Sequence, residues 1–189
     1  MQTHGHGAPS EEGAATAACL LLDPEQFCVA SVVPKELHLW LRRCPTITPL
    51  RSGDVIKGVD EYPTLGVDRA LALRGAGHVR GWPAVVVDCG SALTLTACDE
   101  DGKLAGGAIL PGVRLQLGAL GTRTAQLPSD VVLPNELPTR RERWAMSTPE
   151  AIQSGVMWTI VEGIKSFVRD RWKLNPDTTI VFTGGDGKV

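Results

Sequence analysis

The chain has 189 residues, of which 43% are hydrophobic and 21% charged, values that exclude wholesale disorder and allow a substantial buried core. A net charge of −2 gives no electrostatic reason to expect binding to nucleic acid or to an anionic membrane, and no apolar run approaches the roughly 20 residues of a membrane span. Five cysteines without metal-binding spacing, and an N-terminus without a secretory signal, favour a reducing compartment, so we expect a cytoplasmic protein.

The first part of the chain predicts a tail followed by short elements. Residues 1–18 are rich in Gly and Ala and lack periodicity, so we expect them to be disordered. Residues 27–33 are typical of a strand that stops at a proline. Residues 35–43 predict a short helix with basic residues at its end, and residues 47–50 predict another strand.

An acidic residue stands at the start of the next predicted helix. The sequence YPTLGVDRALALRGA, residues 62–76, has loop signals in Pro63 and Gly66, followed by Asp68 and Arg69 before an apolar helix. Asp68 suits a helix cap or a first-turn acid, with Arg69 paired to a nearby group. It equally suits a general base beside a bound hydroxyl, with Arg69 on a carboxylate or phosphate. The residues alone leave both interpretations open.

The stretch VVVDCGSALTLTACDEDGKLAGGAILP, residues 85–111, predicts three consecutive antiparallel strands. Its first turn carries Asp88, Gly90 and Ser91. A glycine lets backbone N–H groups approach an anion, a hydroxyl donates to that anion, and a carboxylate holds a positive ion. The turn therefore fits a cation and phosphate site, and the alternative is a plain meander in which Asp88 only ends a strand.

The longest predicted helix covers residues 148–173. Ser147 and Glu150 have capping-box spacing at its start. An apolar stripe repeats every fourth residue along the helix, and a second row carries small residues. Two packed faces indicate a helix inside a lobe or at a dimer contact. The stripe consists of Ile152, Val156, Ile160, Ile164 and Val168, and the small row of Gly155, Thr159 and Gly163.

Three further segments complete the predicted elements. A helix is predicted over residues 111–120, and residues 129–146 predict a surface loop. A strand over residues 178–182 runs into the glycine-rich sequence TGGDG, residues 183–187. A glycine-rich loop after a strand can admit the phosphates or the base of a nucleotide.

These motifs, in this order, resemble the type III pantothenate kinase family. They are YP-TLG-x-DR, VVVDCGSALT, GGAILPG, TA-x-LP, ST-PEA-x-x-SG and a strand with TGG, and they cover roughly residues 28–187. The resemblance implies an α/β chain with the actin-like, Hsp70-like (ribonuclease H-like) two-lobed ATPase fold and an incomplete first lobe. It implies a disordered tail at 1–18, a remnant of the N-terminal lobe at 19–80 and the C-terminal lobe at 81–189.

The same resemblance implies an activity, cofactors and partners. The family transfers the γ-phosphoryl group of ATP to the primary hydroxyl of pantothenate, which gives 4'-phosphopantothenate in the first step of coenzyme A biosynthesis. The reaction uses ATP with Mg²⁺ and a monovalent cation, K⁺ or NH₄⁺. The family works as a homodimer, and we expect no nucleic-acid or membrane partner for this chain.

The family's pantothenate-binding residues match one segment of this sequence. Asp68 matches the catalytic base. Gly66, Val67, Asp68 and Arg69 match the pantothenate-binding loop, and Tyr62 lies where a family tyrosine lines the same pocket.

Three matches lie outside that segment. Asp88 matches the ligand of the monovalent cation. Ser91 matches the hydroxyl residue that meets ATP, which is usually threonine; serine keeps the donor and loses the methyl group. Thr148 matches the threonine that contacts pantothenate from a helix start.

The sequence departs from the family pattern at both ends. The family opens with an Asp-x-Gly-Asn-Thr loop around the ATP phosphates, which does not occur here, and the family's last helix does not follow residue 187. We therefore expect a family member shortened at both ends. The alternative function is a pantothenate-binding or regulatory relative with impaired catalysis, and a weaker third is a phosphatase acting on phosphoanhydrides.

Overall fold

The computed structural model describes residues 28–134, 136–139 and 143–187. The disordered tail predicted for residues 1–18 lies outside these ranges. Up to residue 80, the described chain forms strand β1, helix α1, strand β2, helix α2, a 3-10 turn and helix α3. Their bounds are Cys28–Val29, Pro34–Arg43, Thr48–Pro49, Ser52–Val55, Val59–Glu61 and Val67–Arg80.

The rest of the described chain builds a four-stranded sheet and two helices. The sheet has the order β5-β4-β3-β6. Strands β3, β4 and β5 form an antiparallel meander, and β6 returns parallel to β3. This confirms the predicted meander, both predicted helices and the last predicted strand. The bounds are Ala84–Cys89 for β3, Ala92–Cys98 for β4, Leu104–Pro111 for β5, Val113–Arg123 for α4, Thr148–Leu174 for α5 and Thr179–Thr183 for β6.

Helices cover both faces of this sheet, and each face has its own apolar core. Successive strand residues point to opposite faces. On one face, Ala84 and Val86 of β3 pack with Leu73 of α3. On the other face, Val85 and Val87 pack with buried residues of α4 and α5. The predicted α/β class is confirmed, and α3 is separated from α4 and α5 by the sheet.

The strand predicted for residues 27–33 is much shorter in the structure. Residue 27 lies outside the described ranges, and among residues 28–33 only Cys28–Val29 pairs, in parallel, with Thr48–Pro49 of β2. Beyond it, the hydroxyl of Ser31 accepts a 3.1 Å hydrogen bond from the backbone N–H of Val33, which turns the chain into α1. Since such a local bond competes with strand pairing, the apolar pattern overestimated the strand.

The start of α5 is at the predicted residue, but its capping differs from the prediction. In a capping box, the two side chains bond to backbone N–H groups. Here the Ser147 hydroxyl donates instead to Glu150 Oε2 at 2.8 Å. The apolar stripe is confirmed, because Ile152, Val156 and Ile160 are buried in the core beneath the helix.

The cysteines only partly follow the expectation of reduced thiols. Cys28, Cys89 and Cys98 are free, whereas Cys44 is disulfide-bonded, so the expectation is wrong at that residue. Among the described residues, no helix has the length and apolar character needed to cross a membrane.

Candidate active site

The start of α3 holds an exposed carboxylate in a defined position. Gly66 precedes the helix and Asp68 lies in its first turn. Asp68 Oδ1 accepts a 2.8 Å hydrogen bond from the backbone N–H of Arg69. A Cβ on Gly66 would collide with this oxygen, so glycine leaves the space in which the carboxylate folds back over the first turn. Asp68 is therefore a first-turn acid and not the helix cap, and its exposure leaves it accessible to a ligand.

Arg69 points the other way, into the protein. The residue is 6% exposed. Its Nε donates to Thr96 Oγ1 at 2.9 Å and its Nη2 donates to the Leu95 carbonyl at 3.0 Å. Its Nη1 lies 3.4 Å from Tyr62 Oη, and Tyr62 itself is half-buried. The structure thus brings together the predicted residues Tyr62, Asp68 and Arg69 beside the face of the sheet that α3 covers.

A pocket at the end of β3 is lined by one predicted site residue, Ser91. The pocket has a volume of about 500 Å³ and lies where the β3–β4 turn, the start of α4 and the loop after β6 meet. The backbone N–H of Gly112 donates to the Ser91 carbonyl at 2.9 Å, which joins the turn to α4. Gly184 has φ +92, and a Cβ there would lie 2.5 Å from the Cys89 carbonyl. Only glycine lets the last loop approach the turn so closely.

Asp88 lies half-buried beside this pocket. A Cβ on Gly184 would lie 2.6 Å from Asp88 Oδ1, so the carboxylate faces the loop after β6. Among the described residues, no group of three or more His, Cys, Asp or Glu side chains is arranged to hold a metal ion. The Asp88 carboxylate is a hard oxygen donor, the kind of ligand that hard cations prefer.

The surroundings of the neighbouring cysteine, Cys89, disfavour its thiolate form. Burial, with the nearby negative charges of Asp88 and Asp186, raises the pKa of the Cys89 thiol. A raised pKa keeps the thiol protonated near neutral pH, and the protonated form is neither a nucleophile nor a metal ligand.

Two residues of this pocket were missed by the sequence analysis. Arg114, in the first turn of α4, forms an ion pair with Asp186 of the glycine-rich loop, with Nε and Oδ1 3.0 Å apart. The backbone N–H of Asp186 also donates to the Cys89 carbonyl at 3.0 Å. In the sequence, the only signal for Asp186 was weak, an acid within the glycine-rich loop. No sequence signal pointed to its partner Arg114, which is 72 positions away in the chain.

Thr148 lies apart from the other predicted site residues. It begins α5 and lines a groove of about 760 Å³ between α4 and α5, together with Gly155 and Thr159 of the small-residue row. Because α5 and α3 cover opposite faces of the sheet, Thr148 and Asp68 do not meet within one chain.

Comparisons with known proteins identify the family of the chain. The sequence profile of the family described as type III pantothenate kinase matches residues 11–170. A type III pantothenate kinase of Synechocystis sp. is 45% identical over 171 residues, which are 90% of this chain and 64% of that protein. The Synechococcus elongatus protein of the same name is 45% identical over 86% of the chain. The chain spans less than two thirds of the length of these relatives, 64% and 63%.

A solved structure supports the fold. A conserved protein of Campylobacter jejuni, assigned to the Baf family of transcriptional activators, superposes with a TM-score of 0.58. The superposition covers 89% of this chain and 72% of the other. Because the sequence identity is 22%, the similarity supports the fold and not a shared function. With the family match, the predicted actin-like ATPase fold class is confirmed.

Proposed function

Because this chain belongs to the type III pantothenate kinase family, we propose that it transfers the γ-phosphoryl group of ATP to the primary hydroxyl of pantothenate. The product is 4'-phosphopantothenate, an intermediate of coenzyme A biosynthesis. The observation that carries the proposal is the pair of consecutive residues at the start of α3. Asp68 is an exposed carboxylate that can accept a proton from a hydroxyl, and the next residue, Arg69, is a buried guanidinium that can pair with an anionic group.

Asp68 is proposed as the base that takes the proton of the attacking hydroxyl. Phosphoryl transfer needs mainly positioning and charge neutralisation, with one acid to accept the alcohol's proton. The hydrogen bond from the backbone N–H of Arg69 orients Asp68 Oδ1, and the other carboxylate oxygen is free for the substrate. Gly66, Val67 and Tyr62 complete the proposed pantothenate pocket around it.

The pocket at the end of β3 is proposed to bind ATP. The Ser91 hydroxyl is the donor to a phosphate oxygen, and the glycine-rich loop after β6 admits the nucleotide without side-chain clashes. Asp88 is proposed to hold K⁺ or NH₄⁺ with oxygen atoms from the neighbouring backbone. Mg²⁺ accompanies the phosphates of ATP and neutralises their charge. We also propose that the protein works in the cytoplasm, where ATP is abundant.

We further propose a homodimer whose two active sites are each completed by the other chain. Layers of a packed domain lie about 10 Å apart, so helices on opposite faces of one sheet are separated by about twice that distance. In this dimer, the pantothenate bound at one chain's Asp68 is therefore contacted by the partner subunit's Thr148. Exposed apolar side chains support an interface there, since Met146, which lines the groove, is 98% exposed and Trp144, which lines the adjoining pocket with Met146, is 87% exposed.

The test is an assay of ADP release from ATP in the presence of pantothenate, Mg²⁺ and K⁺. We expect ADP release that depends on pantothenate and falls when Na⁺ replaces K⁺. Asp68→Asn should lower kcat by at least about a hundredfold, because it removes the proton acceptor and keeps the shape of the side chain.

Asp60→Asn is the matched control, since Asp60 is an exposed acid of the 3-10 turn before the site. Near-normal turnover of Asp68→Asn would refute the assignment of the base. Absence of any pantothenate-dependent ADP release by the unsubstituted chain would refute the kinase proposal.

A further inference from the structure

The charge on Arg69 is not balanced by the protein around it. Buried charges normally lie next to an opposite charge, because removing an ion from water is costly. Within the part of the chain that the structure describes, the ion pairs do not include Arg69. Its hydrogen-bond partners are neutral oxygens of Thr96, Leu95 and Tyr62. The guanidinium therefore still lacks a negative partner.

The neutral partners form a socket around the guanidinium. The socket consists of the Thr96 hydroxyl, the Leu95 carbonyl, the Tyr62 hydroxyl and the backbone of Gly107, against which Arg69 Nη2 packs. Thr96 and Gly107 face each other across β4 and β5. A Cβ on Gly107 would collide with Leu95 O and Arg69 Nη2, so the absence of a side chain there makes room for the guanidinium.

Thr96 provides the shortest of the three hydrogen bonds to the guanidinium and the shorter of the two from side chains. Its side chain is 2% exposed, and its Oγ1 accepts from Arg69 Nε at 2.9 Å. The contact with Tyr62, at 3.4 Å, is longer and weaker. A guanidinium has more N–H donors than these three acceptors use, and the remaining ones lie on the terminal nitrogens. A planar fork of this kind suits both oxygens of a carboxylate.

We propose that Thr96 is a positioning residue that fixes the plane of the Arg69 guanidinium for the carboxylate of pantothenate, with Gly107 providing the space. The proposal rests on the kinase function proposed above. The position of Thr96 along β4 indicates that the ligand is the carboxylate of pantothenate and not a phosphate of ATP. A strand rises about 3.3 Å per residue, which puts Thr96 roughly 15 Å along the chain from Ser91 at the nucleotide pocket.

The experiment compares binding of pantothenate with binding of its neutral primary amide, by isothermal titration calorimetry on the full chain. Thr96→Val keeps the shape of the side chain and removes the acceptor. We expect it to weaken pantothenate binding by about tenfold and amide binding by less than about twofold, since only the carboxylate depends on the oriented charge. Thr96→Ser, which keeps the hydroxyl, should restore the preference for the carboxylate.

Thr178→Val is the matched control. Thr178 is also buried and hydrogen-bonded, with its hydroxyl donating to the Asn175 carbonyl at 2.7 Å, but it lies before β6 and away from Arg69. Its substitution should leave the ratio of the two affinities unchanged. If Thr96→Val does not fold, as judged by its thermal unfolding, Thr96→Ala replaces it in the same comparison.

Equal weakening of both compounds by the Thr96 variant would overturn the proposal, because Thr96 would then act only on the fold. Failure of the unsubstituted chain to bind either compound would overturn it as well. A chain that binds pantothenate with the expected preference and releases no ADP would refute the kinase function and leave the role of Thr96 supported. The two proposals therefore fail through different measurements.

Discussion

At the scale of single residues, the start of α3 directs two consecutive side chains, those of Asp68 and Arg69, into different surroundings. Consecutive helical residues are rotated by about 100° around the axis. Asp68 consequently faces solvent, while Arg69 passes between the helix and the sheet to reach Thr96 and Leu95. The structure confirms the first-turn position of Asp68, whereas its role as a base stays a prediction. Asp68 has the contacts of a first-turn acid, and the same contacts leave it accessible as a base.

The ion pair between Arg114 and Asp186 gives a prediction about the pocket that we propose for ATP. It links α4 to the glycine-rich loop, and Asp186 is much the more buried of the two, with a side chain only 12% exposed. Asp186→Asn should raise the KM for ATP about fivefold, because a partly exposed ion pair contributes only modestly to the free energy. The KM for pantothenate should stay nearly unchanged, because the ion pair supports only one wall of the pocket proposed for ATP. Steady-state kinetics with each substrate varied in turn measures both constants.

Asp170→Asn is the control for this variant. Asp170 forms an ion pair of the same length, 3.0 Å, with Lys173 on the exposed side of α5. Its loss should change neither constant. An equal rise of both KM values in Asp186→Asn would mean that the ion pair holds the whole fold and not the nucleotide wall.

At the scale of elements, α3 is held to the sheet by a narrow apolar face. Leu73 is fully buried against β3 and β4, whereas Leu71 of the same helix is 38% exposed. Leu73→Ala should lower the free energy of unfolding by about 3 kcal/mol, because it leaves a cavity between helix and sheet. Unfolding in urea, followed by circular dichroism, gives the value.

Leu71→Ala removes the same atoms from the same helix and is the matched control. We expect it to cost less than about 1 kcal/mol, since its side chain already contacts water. Similar losses for the two variants would contradict the assignment of the buried face, and with it the position of Asp68 relative to the sheet.

At the scale of the whole molecule, the proposed shared sites make activity depend on association. The groove beside Thr148 is flanked by Met146, which is 98% exposed. Met146→Asp should leave the chain folded and shift its mass, measured by size-exclusion chromatography with light scattering, from a dimer toward the 20.1 kDa of one chain.

Leu174→Asp places the same charge at the opposite end of α5, where Leu174 is 75% exposed. This variant should remain dimeric. A monomeric unsubstituted chain with full kinase activity would refute the shared-site arrangement, because Thr148 and Asp68 lie on opposite faces of one sheet.

The division into lobes stays a prediction. The predicted boundary separates residues 19–80 from residues 81–189. In the structure, α3 lies before that boundary but shares a buried core with Ala84, Val86 and Cys98 of the sheet. The backbone N–H of Leu104 also donates to the Lys57 carbonyl at 2.9 Å. Residues on the two sides of the boundary are thus joined by packing and by backbone hydrogen bonds.

The sequence by itself determined the elements whose signals are local. The apolar period of α5, the alternation in β4 and the glycines around the turns depend on neighbouring residues, and the structure has these elements within a few residues of the predicted ends. Local signals failed at residues 27–33, where the Ser31 hydroxyl competes with strand pairing. The motif order also sufficed to identify the family, because each motif is a short run of adjacent residues.

Only the tertiary structure decided which distant residues meet. The ion pair of Arg114 with Asp186 and the socket of Arg69 against Thr96 and Gly107 join positions far apart in the chain. Such contacts are set by the packing of helices on a sheet and by strand register, neither of which has a local signature. The resemblance to the family implies that Thr148 and Asp68 both contact pantothenate, and only the fold shows that α5 and α3 cover opposite faces of one sheet.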